Sequence, residues 1–153
     1  MTFVSAKEYL KKYNYEDKIM EFDVSSATVS DASKALNCTD GEIAKTLSFI
    51  VNNEPILIVM AGDKKIDNSK YKVEFNTKAK MIDFDNVFDL IGHYVGGVCP
   101  FGINDNVKVY LDVSLKEYDI VYPACGSSNS AVKLTIKELE KCSNYIKWID
   151  VSK

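Results

Sequence analysis

Apolar and polar positions along the chain alternate with two periods, which divide it into short elements. AKEYLKKY, residues 6–13, reads as a helix, with Ser5 and Glu8 spaced as a capping box ahead of it. IMEFDV (19–24) reads as a strand, and TVSDASKALN (28–37) as a helix with Val29, Ala32 and Leu36 on one face, ended by the turn chemistry of Asn-Cys-Thr-Asp-Gly. IAKTLSFIV (43–51) and PILIVMAG (55–62) are β-rich runs separated by three polar residues, so a hairpin at the centre of a sheet is expected. Asp67 opens a short helix, NSKYKVEF, KAKMID is a short strand, and Asp83 is placed to cap FDNVFDLIG, which stops at Gly92. KVYLDVSL, YDIVYPAC, SAVKLTI and YIKWIDV alternate as strands. Thr135 and Glu138 repeat the capping-box spacing for a helix over IKELEKC.

Strands outnumber what a simple βαβ alternation supplies. The pattern therefore predicts an α+β fold, a mixed sheet with peripheral helices. Residues 1–153 contain no repeat, low-complexity tract or linker, so one domain is expected throughout.

Composition narrows the function classes. With 46% apolar residues and none of the apolar runs long enough to span a bilayer, no membrane partner is expected. The charged N-terminus lacks a signal core, which predicts a cytoplasmic protein. Cys38, Cys99, Cys125 and Cys142 are widely spaced and form no CxxC pair, so reduced thiols and no metal site are expected. A net charge of -3 argues against a general nucleic-acid coat, and no DNA partner is expected.

The chemistry concentrates in two places. GHYVGGVCPFG, residues 92–102, carries four of the seven glycines. Adjacent glycines can aim successive N–H groups into one concavity that binds negative charge, and Pro100 restricts both itself and Cys99, so the turn is shaped. The alternative is a tight helix-to-strand connection. Lys45, within IAKTL, is the second place, because an ammonium in a buried strand needs a partner. That partner is either an internal carboxylate or a bound phosphate or carboxylate. His93, the single histidine, is expected to pack or cap, Cys99 to line a pocket, and no cofactor is called for.

IAKTL, then MAGDKK, then GHYVGGVCPFG, then a strand ending in Ala-Cys-Gly together resemble the YbaK/EbsC family, the aminoacyl-tRNA deacylase domain found free-standing and inserted in bacterial prolyl-tRNA synthetases. The likeness runs in order from about residue 20 to the C-terminus. It implies a mostly antiparallel, barrel-like sheet, and hydrolysis of amino acids wrongly esterified to tRNA. It further implies that Lys45 is the functional lysine, that Gly96, Gly97, Val98, Cys99 and Pro100 form the loop facing the scissile ester, and that Gly126 closes the pocket beside the terminal adenosine. Gly102, Ser127 and Ser128 join Lys45 and Gly126 as expected substrate contacts. Free-standing members that remove cysteine from proline tRNA commonly carry a basic residue and a second glycine just after the Gly126 position. Ser127-Ser128-Asn129-Ser130 stands here, which extends the expected substrates from cysteine to serine, alanine or threonine. The implied partners are a mischarged tRNA and an aminoacyl-tRNA synthetase. A non-catalytic module binding a nucleotide, an amino acid or a tRNA 3′ end is the alternative.

Overall fold

A computed structural model describes residues 2–153. The centre is the expected hairpin, β2 (Ile43–Val51) against β3 (Glu54–Ala61), paired antiparallel from Ala44↔Ala61 to Val51↔Glu54. Asn52 and Asn53 make its turn with φ of 52° and 66°, a conformation asparagine tolerates better than most residues. β3 reads as a continuous apolar run because both of its faces are covered. Leu57 and Val59 join one core, with Phe101, Leu111 and Leu139, while Ile56, Ile58 and Met60 join the other, with Phe49 and Tyr71.

The other strands add to this hairpin. β4 (Lys108–Asp112) pairs parallel to β3, and β8 (Trp148–Ile149) parallel to β4. On the opposite side β5 (Ile120–Pro123) pairs parallel to the start of β2, and β7 (Leu134–Thr135) antiparallel to β5. The result is a mixed six-stranded sheet, order β7-β5-β2-β3-β4-β8, curled into a half-barrel. β1 (Ile19–Glu21) and β6 (Ser130–Val132) form a separate antiparallel pair.

Helices α1 (Thr2–Lys11), α2 (Val29–Leu36), α3 (Asn68–Phe75), α4 (Val87–Ile91) and α5 (Ile136–Cys142) lie around the sheet. The capping box at Thr135 and Glu138 is present, with Glu138 N–H donating to Thr135 Oγ1 at 3.1 Å and Thr135 N–H to Glu138 Oε1 at 2.9 Å. Asp67 caps α3 through Ser69 and Lys70 N–H. Gly92 closes α4 with φ of 106°.

Several expectations are corrected. KAKMID forms no strand, only a lone bridge from Met81 to Phe49, and SAVKLTI breaks at Lys133 into β6 and β7, which pair with different strands. α1 begins at Thr2, so Ser5 lies inside it and its hydroxyl donates to Thr2 O at 2.9 Å instead of capping. Asp83 makes no side-chain cap, because a 3₁₀ turn over Phe84–Asn86 intervenes before α4. KVYLDVSL stops being a strand at Asp112, whose buried carboxylate accepts from Ser114 N–H, Val151 N–H and Ser152 Oγ at 3.0, 2.9 and 2.7 Å. That carboxylate turns the chain and also ties down its C-terminal end.

Candidate active site

β2 is covered along one edge at both ends but not in the middle. β5 pairs there with Ile43 and Ala44, and Lys80–Ile82 bonds to Ser48 and Ile50, with Met81 opposite Phe49. Between them, Lys45, Thr46 and Leu47 have no strand neighbour on that edge among the described residues. A cavity of about 440 Å³ opens at this gap. Its walls are the start of α2 with Ser26 to Val29 and Ala32, β2 from Ile43 to Ser48, residues of the Met81–Val87 stretch, the glycine turn through Val95, Gly96 and Val98, and Tyr122, Ala124, Ser130 and Ala131. Most of these side chains are apolar. Lys45 is the single charged residue among them.

Within the protein, main-chain carbonyls and not the internal carboxylate partner this lysine. Its Nζ donates to the main-chain carbonyls of Gly62, at 3.4 Å, and Lys64. No carboxylate lies within ion-pair distance of it among the described residues. Two carbonyls fix the ammonium and leave its third N–H for a ligand. Burial pushes the Lys45 pKa down, and the Asp63 carboxylate opposes that shift. Next to it, Thr46 Oγ1 is buried and has no hydrogen-bond partner among the described residues.

The glycine turn stands on the other wall. Gly96 adopts φ of 97°, and Gly97 N–H donates to Tyr94 O at 3.0 Å. Gly97 O in turn accepts from Gly126 N–H at 3.1 Å. A side chain on Gly97 would meet Ser127 N at 2.6 Å, so only glycine allows this approach. The N–H groups of Gly96 and Val98 find no acceptor among the described residues. A small wall carrying two unused donors thus shares the cavity with an ammonium that has one donor to spare.

The remaining expected residues stand behind this wall. Cys99 is fully buried and does not line the cavity as expected: its Sγ faces His93 Nε2 at 3.4 Å and Phe101 O at 3.7 Å. Pro100 and Gly97 are buried beside it. Gly102 packs against the Ser5–Ala6 backbone, and Gly126, with φ of 82°, against Thr2 and Phe3, so both serve the seat of α1. Ser127 Oγ lies 2.6 Å from Ser130 Oγ, and Ser128, exposed beside Gly96, accepts from Ser26 N–H at 2.6 Å through its carbonyl; both contact cavity residues without lining the cavity.

Sequence reading missed Ser26 to Val29, Thr46, Tyr122 and Ser130. Thr46 carried a usable signal, a hydroxyl in an apolar strand. The others reach the cavity through long-range pairing and carry no local one.

Residues 24–142 match the aminoacyl-tRNA editing domain. The uncharacterized protein YwhH of Bacillus subtilis is 47% identical over 100% of this chain and 98% of its own length. EbsC of Enterococcus faecalis, named provisionally as a Cys-tRNA(Pro)/Cys-tRNA(Cys) deacylase, is 22% identical over 87% of this chain and 82% of its own. A crystal structure described provisionally as a trans-editing enzyme for prolyl tRNA synthetase superposes with a TM-score of 0.89 and 25% identity, covering 99% of this chain and 97% of that one.

Proposed function

The chain belongs to the aminoacyl-tRNA editing domain family, and on that premise we propose that it deacylates mischarged aminoacyl-tRNA in the cytoplasm, releasing a small amino acid such as Cys, Ser, Ala or Thr. The observation that carries this reading is that Lys45 and Gly96 line one cavity.

Ester hydrolysis passes through a tetrahedral intermediate with negative charge on oxygen. The unused N–H groups of Gly96 and Val98 are the donors that meet this charge, each worth about 3 to 4 kcal/mol when preorganised. Lys45, held by two carbonyls, offers its third N–H to a phosphate or ribose oxygen of the terminal adenosine and so orients the ester. The nucleophile is water, assisted by the neighbouring ribose hydroxyl, and the proton leaves with the released ribose oxygen. Larger side chains such as Leu47, Ile82, Phe84 and Tyr122 share the walls with alanine, valine and serine and restrict the acyl group to a small one, and such a pocket separates neighbours differing by one methylene by only about 1 to 3 kcal/mol.

The test is incubation of the full chain, at catalytic concentration, with tRNAs carrying labelled Cys, Ser, Ala or Thr. Multiple turnovers with at least one of them are expected. Binding without release would favour the alternative, a module that holds the tRNA 3′ end.

A further inference from the structure

Large apolar side chains are exposed together on one side of the cavity. Met81, Phe84 and Val95 line it and are also 55%, 74% and 48% exposed. Continuing outward, the rings of Phe88 and Tyr94 stack on each other, 4.3 Å between centroids and 16° between planes, with Tyr94 62% exposed. Phe88 comes from α4 and Tyr94 from the turn after Gly92, and Phe88, partly covered, is still 39% exposed. Exposed apolar surface grouped in this way marks an interaction site.

We infer that the Phe88–Tyr94 stack is a platform for the unpaired bases that precede the terminal nucleotide of the tRNA. This rests on the editing reading above. Its occupant follows from continuity: an ester seated in the cavity leaves the rest of its strand emerging past Phe84 and Val95, and the next flat surfaces are the two rings. Unpaired bases stack on aromatic side chains with little regard to sequence. The charges nearby support stacking over phosphate contact, because the segment carrying the platform bears Asp85 and Asp89 and no lysine. Binding there gains from ring faces and little from counterion release.

Tyr94→Ala and Tyr94→Trp test this. Tyr94 contributes to the turn through its backbone carbonyl, which both substitutions keep, and a thermal melt checks the fold. The probe is a tRNA acceptor minihelix carrying a non-hydrolysable 3′-amide-linked amino acid, with 2-aminopurine replacing the base before the terminal one. Wild type is expected to quench the 2-aminopurine on binding. Tyr94→Ala is expected to lose the quench and about tenfold in affinity, equally at low and high salt, while Tyr94→Trp restores both. In deacylation the loss falls on KM. Wild-type turnover together with unaltered Tyr94→Ala binding and quench overturns the platform and leaves the editing reading standing. Absence of both binding and turnover in wild type removes the editing reading, and the platform with it. Unaltered RNA binding with lost association to an aminoacyl-tRNA synthetase overturns the RNA platform in favour of a protein contact.

Discussion

Cys99 Sγ lies 3.4 Å from His93 Nε2, and neither side chain reaches solvent. A thiol beside an imidazole is the arrangement of a thiolate nucleophile, but this pair has the opposite electrostatics. Burial pushes the Cys99 thiol well up and pulls the His93 imidazole down, so both stay neutral at pH 7. Nε2 also lies 2.6 Å from Phe101 O, a distance that assigns the proton to Nε2 as donor and leaves no lone pair there for the thiol. Cys99→Ala is therefore expected to retain turnover, with no acyl-enzyme visible by mass spectrometry. The roughly 10⁴-fold or larger fall that accompanies loss of a nucleophile would restore covalent catalysis.

Lys45→Ala is expected to lower kcat/KM by about 100-fold, the scale of lost positioning, with the protein still folded. The Gly62 and Lys64 carbonyls it leaves are only partly buried, so the stability cost is about 1 kcal/mol. Because burial holds the Lys45 pKa down, the alkaline limb of wild-type kcat/KM is expected to begin below the ordinary lysine range. Deacylation rates across pH, alongside thermal melts, check both points. Unchanged activity in Lys45→Ala would remove the assigned role.

How much of this was legible in the sequence depends on the range of the interaction. The β2–β3 hairpin, the Asp67 cap and the Thr135–Glu138 box are set by residues within a few positions of one another, and all three form where the pattern puts them. Strands end earlier than the pattern predicts because alternation continues past the point where a distant group intervenes, as the Asp112 carboxylate does for β4. Lys45 and Gly96 stood out because each is chemically odd in its local setting. The glycines at 102 and 126 are equally odd, yet their reason is the close approach of α1, which no local pattern announces. The cavity itself arises from incomplete pairing along β2, a property of the assembled sheet alone.

Gly97→Ala tests whether the turn must be rigid to work. The added methyl would sit 2.6 Å from Ser127 N and 2.7 Å from Gly126 C, both main-chain atoms with little freedom to move. Relief requires parting the two loops and breaking the Gly126 N–H to Gly97 O bond. The expected result is a stability loss of about 1 to 3 kcal/mol, the usual scale of overpacking, and a fall in kcat with the shifted Gly96 and Val98 donors. Denaturant midpoints and single-turnover rates measure these separately. Full activity in a destabilised variant would mean that the donors do not act on the ester.

His93 makes the folded state sensitive to acid. Its folded pKa is depressed, first by burial, with the Phe101 carbonyl opposing the shift, and its buried Nδ1 has no partner among the described residues to receive a second proton. The unfolded chain therefore binds more protons than the folded one once pH drops below the unfolded histidine value near 6.5. The contribution is whole above that value and is lost as pH falls from there to the folded pKa, at up to about 1.4 kcal/mol per pH unit. Carboxylates titrate over part of the same range, so the measurement is a difference: urea midpoints at pH 7.5 and at pH 5.5, for wild type and for His93→Gln, whose amide can still donate to Phe101 O. Wild type is expected to lose more than the variant across this interval. Equal losses would mean that the imidazole charges without cost inside the fold, and that the seal between the glycine turn and Phe101 is looser than a fully buried ring requires.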